Sequence, residues 1–433
     1  MKKNFFRIKY MIPQHVIALV EKFYHFLLAF AAAVWFLFPS RRIIVIGVTG
    51  TKGKTTVVEL LRNMLETEGH RVASASSLHF HVGDKKIPNT LGMTMPGRFF
   101  LQRFLAHAVK EKCAYAVVEV TSQGIMQYRH RFIDFDVGVL TNIAPEHIEA
   151  HGGFEPYVRA KLDFFWRLPR RAVAVINRSD PQASRVAAAT ACEKAWYDRD
   201  SIAYKKISYP IRNVNRGSYG IVFDVKGHQV KSRLQGDVNM ENILAAIAAA
   251  LVLRISFDAI SKGISKVEEI AGRMQIIQDK PFRVVVDYAH TPDSLERVYE
   301  SLKKKSAIQS NLLCVLGAAG GGRDAWKRPE LGKIAAAHCK EIFITNEDPF
   351  DESPEQIMED IASGITQFVY KGAWRIISDR REAIRECIAH AKEGDTMIIT
   401  GKGSETYIRV ANGERIAWSD ANVAREELAN KEK

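Results

Sequence analysis

Residues 47 to 56 read Gly-Val-Thr-Gly-Thr-Lys-Gly-Lys-Thr-Thr, after the apolar run Ile43 to Ile46 and before a helix-like stretch, Val57 to Glu68. A strand, a glycine-rich loop and a helix in that order form a phosphate cradle. Gly50 and Gly53 accept dihedrals that other residues resist, so main-chain N–H groups can turn inward, and the helix N-terminus adds partial positive charge. In that chemistry Lys54 neutralises the terminal phosphates of a nucleotide and Thr55 holds Mg²⁺, with Thr51, Lys52 and Thr56 completing the contacts. The run departs from a strict G-x-x-x-x-G-K-[ST] pattern at one place, where Val48 stands for the first glycine.

Glu119 ends a buried-looking strand and is followed by a turn, Val120 to Gly124, at the C-terminal edge of the sheet, where ligands of open α/β sheets sit. A carboxylate there suits Mg²⁺, and it also suits a helix N-terminus. Asn142 to His147 follows another strand, which puts His147 near the same edge. Lys161 lies inside a helical stretch and reads, on spacing alone, as a solvated lysine.

The elements that must position these residues come in two cycles. From Ile43 to about Leu253, short apolar runs alternate with helical stretches; Tyr115 to Val120, Val137 to Leu140 and Ala172 to Ile176 are the clearest strands of a mostly parallel sheet. Polar and apolar residues alternate between Ile202 and Leu234, with glycines 217, 220 and 227 as turns, which predicts an antiparallel patch. Ala245 to Ala250 is apolar all round and belongs deep against the sheet. A second cycle starts at Arg283, with strands at 284–286, 312–316, 342–344, 376–377 and 397–399, and predicts a Rossmann-like domain. The boundary falls near Ala271 to Arg273, giving segments 1–40, 41–272 and 273–433 and a cleft between two α/β lobes.

The chain has 433 residues and a net charge of +13, from 62 Lys and Arg against 49 Asp and Glu, which suits an anionic nucleotide, an anionic substrate or an anionic membrane surface. Its basic residues are scattered and carry no compact nucleic-acid signature, so nucleic acid is not among the expected partners. Five cysteines are odd in number and without a C-x-x-C pair, which argues against disulfides or a zinc knuckle and fits a reducing cytoplasm. Phe26 to Phe38 is an unbroken run of thirteen apolar residues with Lys2, Lys3, Arg7 and Lys9 before it and Arg41 and Arg42 after. Two readings stand open: contact with the inner face of the cytoplasmic membrane, or packing on the body of the protein or on a second copy. No small-residue cleavage site separates the run from the strand that follows, which argues against a secretory signal.

Gly47 to Thr56, Glu119 to Gly124, Thr141 to His151 and Arg159 to Phe165 together resemble the Mur ligases, and among them the UDP-N-acetylmuramoyl-tripeptide synthetases. Asp287 to Asp293, Gly320 to Asp324, Lys327 to Pro329 and Gly401 to Glu405 carry the resemblance through the second cycle, so that it covers about Arg42 to Glu427. It implies a P-loop central domain, a Rossmann-like C-terminal domain and ATP-driven amide formation: a substrate carboxylate takes the γ-phosphoryl group, and the amine of a free amino acid displaces phosphate. It implies Mg²⁺ held by Thr55 and by Glu119, His147 and Lys161, with Lys161 carbamylated and so an anionic oxygen ligand. It places Asn242, Arg273, Asp287 and Tyr288 at the nucleotide, and Thr94, Thr121, Gln127 and Arg129 at a muramoyl-peptide acceptor. Arg323, Gly401 and Glu405 would grip the incoming amino acid.

Four departures qualify the resemblance, the first being Met93 and Met95 in the family's Thr-Thr-Pro loop, which Thr94 and Pro96 otherwise match. Glu347 to Phe350 stands where diaminopimelate enzymes of the family carry Asp-Asn-Pro-Arg, which removes a bidentate partner for a distal carboxylate and leaves Asp348 to attract the side-chain ammonium of L-lysine. Ser404 replaces a histidine. The family's N-terminal UDP-binding domain is expected to be missing, with the apolar segment in its place and an acceptor that comes without UDP or on a lipid carrier. The alternatives are a ligase of the related folylpolyglutamate synthase type and a non-catalytic ATP-binding scaffold at the membrane.

Overall fold

A computed structural model describes residues 14–146, 151–217, 220–303, 310–322, 324–367 and 370–431, and the side chains from residue 20 onward. His147 and Arg323 lie outside the described residues. The chain divides into two compact units, one made of Met1–Ile143, Val158–Pro210 and Leu244–Gly263, the other of Ala144–Tyr157, Ile211–Ile243 and Ile264–Lys433.

The first unit is built on β1 (Ile44–Thr49), β2 (Val72–Ala75), β3 (His79–Val82), β4 (Lys85–Pro88), β5 (Tyr115–Val120), β6 (Val137–Leu140), β7 (Val173–Asn177), β8 (Glu193–Tyr197), β9 (Ser201–Tyr204) and the start of β10 (Ile207–Gly217). Their order is β10-β9-β8-β7-β6-β1-β5-β2-β3-β4. Pairing is parallel from β8 to β2 and antiparallel beyond each end. The central strands read as continuous aliphatic runs because helices cover both faces of a parallel sheet; every residue of β5 and β6 is buried. The short hairpin β3–β4 carries no such run, and nothing in the hydrophobic pattern announces it.

The helices are α1 (Gln14–Trp35), α2 (Lys54–Thr67), α3 (Arg98–Lys110), α4 (Ser122–Met126), α5 (Phe154–Trp166), α6 (Ala183–Ala189), α7 (Asp237–Val252) and α8 (Phe257–Ser265). Helix α2 starts at Lys54, three residues before the stretch read from sequence, because the glycine loop itself closes the first turn. Ala245 to Ala250 in α7 are fully buried, as their composition demands. Helix α5 seats on the sheet through Phe164, where β1 offers Gly47: a Cβ there would lie 2.7 Å from the Phe164 ring. Helix α1 lies on the first unit through Ala29, Ala32 and Ala33, and Phe26 and Phe30 meet the Phe132 ring edge-on at 5.2 and 5.3 Å. Packing on the body therefore accounts for one face of the apolar run. Among the described residues no helix is long and apolar enough to cross a membrane.

In the second unit, β10 continues antiparallel to β11 (Gly220–Val225), which pairs with β12 (His228–Ser232). A separate sheet contains β13 (Gln275–Gln278), β14 (Arg283–Val286), β15 (Leu312–Leu316), β16 (Glu341–Ile344), β17 (Ala373–Ile376) and β18 (Thr396–Ile399), in the order β13-β14-β18-β15-β16-β17. Five strands run parallel; β13 adds an antiparallel edge that the sequence did not signal, and β17 begins three residues before the apolar pair at 376–377. Helices α9 (Pro292–Lys303), α10 (Lys327–His338) and α11 (Pro354–Thr366) contribute to one core, and α12 (Arg380–His390) and α13 (Asp420–Lys431) to the other. Helices α10 and α11 meet through glycines: a Cβ on Gly332 would stand 2.0 Å from the Ile361 carbonyl oxygen, and one on Gly364 1.8 Å from that of Pro329. A small hairpin, β19 (Tyr407–Arg409) and β20 (Arg415–Ala417), completes the unit. All five cysteines are buried and unbridged.

Candidate active site

The glycine-rich loop leaves β1 with Gly50 at φ 151° and enters α2 through Gly53 at φ 85°, both in the region that favours glycine. A Cβ on Gly50 would fall 1.8 Å from Thr141 Oγ1. That close approach lets the segment after β6 pin the loop: Asn142 accepts Thr51 N–H at its carbonyl oxygen (2.8 Å) and Lys52 N–H at Oδ1 (2.9 Å), and Thr141 Oγ1 donates to Lys52 O (2.6 Å). Lys54 Nζ donates to the carbonyls of Gly50 (3.0 Å) and Thr51 (2.9 Å). Thr55 and Thr56 are buried in the first turn of α2.

Lys161 is not the solvated lysine that helical spacing suggested. It is 1 % exposed, and its Nζ donates to Gly50 O at 2.9 Å. The reason is local: Phe164, three residues on, docks that face of α5 against Gly47, and positions three apart share one helix face. Burying a lysine is costly unless polar groups meet it, and the loop carbonyl does so.

Glu119, fully buried, accepts Ser77 N–H at Oε1 (2.9 Å), and Ser77 Oγ lies 3.0 Å from Thr94 Oγ1. Ser77 thus joins the carboxylate to the Thr94 loop. Sequence reasoning missed it, although its place just after β2, beside β5, was the available signal. Thr121 caps α4 by accepting Gly124 N–H (3.0 Å). Arg129 donates to Gln127 Oε1 from Nε (3.0 Å) and Nη2 (2.6 Å), and from Nη1 to the Met95 carbonyl. Arg98 donates to Gln127 O (2.6 Å) and meets His25 of α1 through the same nitrogen. Arg98 and His25 were also unread in the sequence.

In the second unit a cavity of about 270 Å³ is lined by residues including Gln235, Asn239, Arg273 and Met274. Asn242 donates to Asn239 Oδ1 (3.3 Å). The Arg273 guanidinium lies 4.3 Å from the centre of the Tyr288 ring, and burial pushes the Tyr288 phenol well above its ordinary range. Asp287 holds the main chain by accepting Met274 N–H (2.6 Å) and Ala289 N–H (2.8 Å).

The corner around residues 347–350 and 401–409 is dense in charge. Lys402, fully buried, donates to Asp348 Oδ1 (2.7 Å) and Glu405 Oε2 (2.5 Å). Arg409 binds the same aspartate through its N–H (2.8 Å, to Oδ1) and Nη1 (3.2 Å, to Oδ2), and its guanidinium lies 5.6 Å from the Phe350 ring centre. Asp348, expected to attract a substrate ammonium, is engaged here by two cations of this chain. Glu347 is buried against Gly401, whose Cβ would fall 2.1 Å from Oε2; that oxygen has no hydrogen-bond partner among the described residues, and burial pushes the carboxyl up to about 7 against the pull of Arg380, Lys402 and Lys327.

The donor chemistry of the cradle fits a magnesium nucleotide. A glycine-shaped loop, two lysines and hard oxygen donors at Thr55 and Glu119 are what phosphates and Mg²⁺ take. Among the described residues no cluster of three or more His, Cys, Asp or Glu forms a metal site by itself.

A glycine-rich loop between a buried strand and a helix N-terminus defines a phosphate-binding α/β protein. Residues 48–250 match the Mur ligase middle domain and residues 272–403 the Mur ligase glutamate ligase domain. The UDP-N-acetylmuramoyl-L-alanyl-D-glutamate–2,6-diaminopimelate ligase of Chlamydia caviae is 34 % identical over 410 residues, which are 92 % of this chain and 81 % of that protein. A solved structure of a ligase with the same description aligns with a TM-score of 0.61 at 30 % identity, covering 90 % of this chain and 79 % of that one. The folylpolyglutamate synthase of Mycobacterium tuberculosis aligns with a TM-score of 0.69 at 19 % identity over 86 % of this chain and 91 % of its own, a likeness of fold alone. The chain belongs to the Mur ligase family. It is an ATP-dependent, amide-bond-forming ligase of peptidoglycan synthesis.

Proposed function

We propose that the protein adds a free amino acid to the terminal carboxylate of a muramoyl peptide in the cytoplasm, through an acyl phosphate. The observation that carries this reading is the buried Lys161 reaching the Gly50 carbonyl of the glycine-rich loop. A carboxylate acylates poorly because oxide would have to leave. Transfer of the γ-phosphoryl group to a carboxylate oxygen, with ADP departing, supplies a leaving group; the amine then bonds to the carbonyl carbon, loses a proton and expels phosphate.

In this reading Gly50 to Thr56 hold the phosphates, Lys54 offsets charge on the β- and γ-phosphoryl oxygens, and Asn242, Arg273, Asp287 and Tyr288 hold the nucleoside end. Thr55, Glu119, His147 and a carbamylated Lys161 would hold Mg²⁺, which when bound draws negative charge off the phosphoryl oxygens. Thr94, Thr121, Gln127 and Arg129 orient the acceptor, with Ser77 positioning Glu119 and Thr94. Contact of α1 with the inner face of the membrane belongs to the same reading.

For the amino acid, Arg323, Gly401 and Glu405 take the α-groups. Asp348 and Arg409 are paired with each other, so neither side chain decides between L-lysine and diaminopimelate; the likeness to diaminopimelate ligases supports the latter. A diaminopimelate-type substrate is the better supported of the two. ADP release and product mass, measured with muramoyl-alanyl-glutamate in free, UDP-linked and lipid-linked forms and with diaminopimelate, lysine, glutamate and other amino acids, test the reading. Ligation of diaminopimelate supports it; ligation of lysine alone moves the specificity argument back to Asp348; stimulation by folate with glutamate, or by no pair, overturns it.

A further inference from the structure

Helix α1 has two apolar faces and only one is covered. Ala29, Ala32 and Ala33 are buried, while Val20, Phe23, Tyr24, Leu27, Phe30, Val34, Trp35 and the following Leu37 are 45–77 % exposed. Eight of the twenty exposed large apolar side chains among the described residues thus sit on one helix and its end. At about 100° per residue the helical seven fall within an arc of about 140°, opposite the alanine face. A soluble surface does not normally leave so continuous an apolar stripe open to water.

Charge says what covers it. No Asp, Glu, Lys or Arg occurs from Phe23 to Ser40, and the first 42 residues carry Lys2, Lys3, Arg7, Lys9, Lys22, Arg41 and Arg42 against the single acid Glu21. Apolar residues between basic flanks, with Tyr24 and Trp35 near the two ends of the stripe, fit the headgroup level of an anionic bilayer. A second copy would bring the same basic flanks and another +13 charges against them. The helix does not meet the length and hydropathy needed to cross, so it would lie in the interface.

The covered face of α1 leads to the acceptor side. His25 meets Arg98, Arg98 binds the Gln127 carbonyl, and the residues next to these, Phe99 and Met126, are 44 % and 45 % exposed. We propose that the outer arc of α1 docks on an anionic lipid surface and that the acceptor reaching Thr94, Gln127 and Arg129 is carried in that bilayer. The second half rests on the acceptor assignment proposed above.

The full chain is mixed with phosphatidylcholine vesicles with and without phosphatidylglycerol. Co-sedimentation with the anionic vesicles only, weakened by salt and reduced at least tenfold in Leu27→Glu/Val34→Glu with an unchanged circular-dichroism melt, is the expected result. Quenching of fluorescence by brominated lipid, diminished in Trp35→Phe, tests the same face without introducing a charge. Equal partition of parent and variants, absence of binding to anionic vesicles, or a solution dimer that the double variant dissolves would overturn the docking face. Turnover then tests the carrier: the double variant should lose rate on a vesicle-borne lipid-linked acceptor and keep it on a water-soluble one. Equal effects on both refute lipid carriage; no turnover of either by the parent refutes the acceptor assignment, while the sedimentation result stands.

Discussion

In the glycine-rich loop, the described contacts of Lys54 and Lys161 run to the carbonyl oxygens of Gly50 and Thr51, whereas Lys402 in the second unit donates to the carboxylates of Asp348 and Glu405. A carbonyl dipole orients an ammonium group without cancelling its charge; a carboxylate cancels it. Main-chain carbonyls thus orient the two lysines at the loop, while carboxylates hold Lys402. A cation count along the sequence would not separate them, since the difference lies in what each cation is bonded to.

The contrast predicts different failures. Lys54→Ala should lower ADP release by about 10³-fold, because it removes transition-state charge stabilisation; ligation at the parent rate would break the cradle half of the comparison. Asp348→Ala should destabilise by about 3 kcal/mol, since it strips partners from a buried lysine, and should raise KM for the amino acid while leaving KM for ATP alone. Urea melts and steady-state kinetics read both effects.

Glu347 sharpens the second half through pH. Its folded value, about 7, lies above the ordinary 4.5, so folding takes up a proton; the group's contribution is full below about 4.5 and is lost as pH rises through 7. Glu347→Gln should therefore be more stable than the parent by about 2–3 kcal/mol at pH 8.5 and nearly equal to it near pH 4.5. An identical gap at both pH values would mean that burial is not what governs this carboxyl. The smallest effect is expected at Thr121→Ala, where loss of the α4 cap should cost about 1 kcal/mol and move the KM of the acceptor rather than that of the amino acid.

The glycine loop, the aliphatic strands and the buried alanine helix were legible because each is set by neighbours in sequence. Spacing alone misread Lys161, which the family resemblance placed in the site, because helical spacing shows which residues share a face but not which face is buried; Phe164, one turn on, was the clue. Ser77 was missed because a serine after a strand has no pattern of its own. The state of Asp348 was illegible for a different reason: its second cation, Arg409, lies 61 residues away and meets it only through the β19 hairpin. His147 and Arg323, read as a metal ligand and an amino-acid grip, lie outside the described residues and stay with the sequence argument.

The glycine contact between α10 and α11 bears on how such a corner can change its preference. In its first turn helix α10 carries Arg328, which holds Glu352 and Asp360, and α11 begins just beyond the 347–350 segment. With hydrogen where other residues would carry a side chain, the spacing of α10 and α11 at Gly332 and Gly364 is set by main chain alone. Side chains around that contact can then be exchanged one at a time without changing the spacing of the two helices.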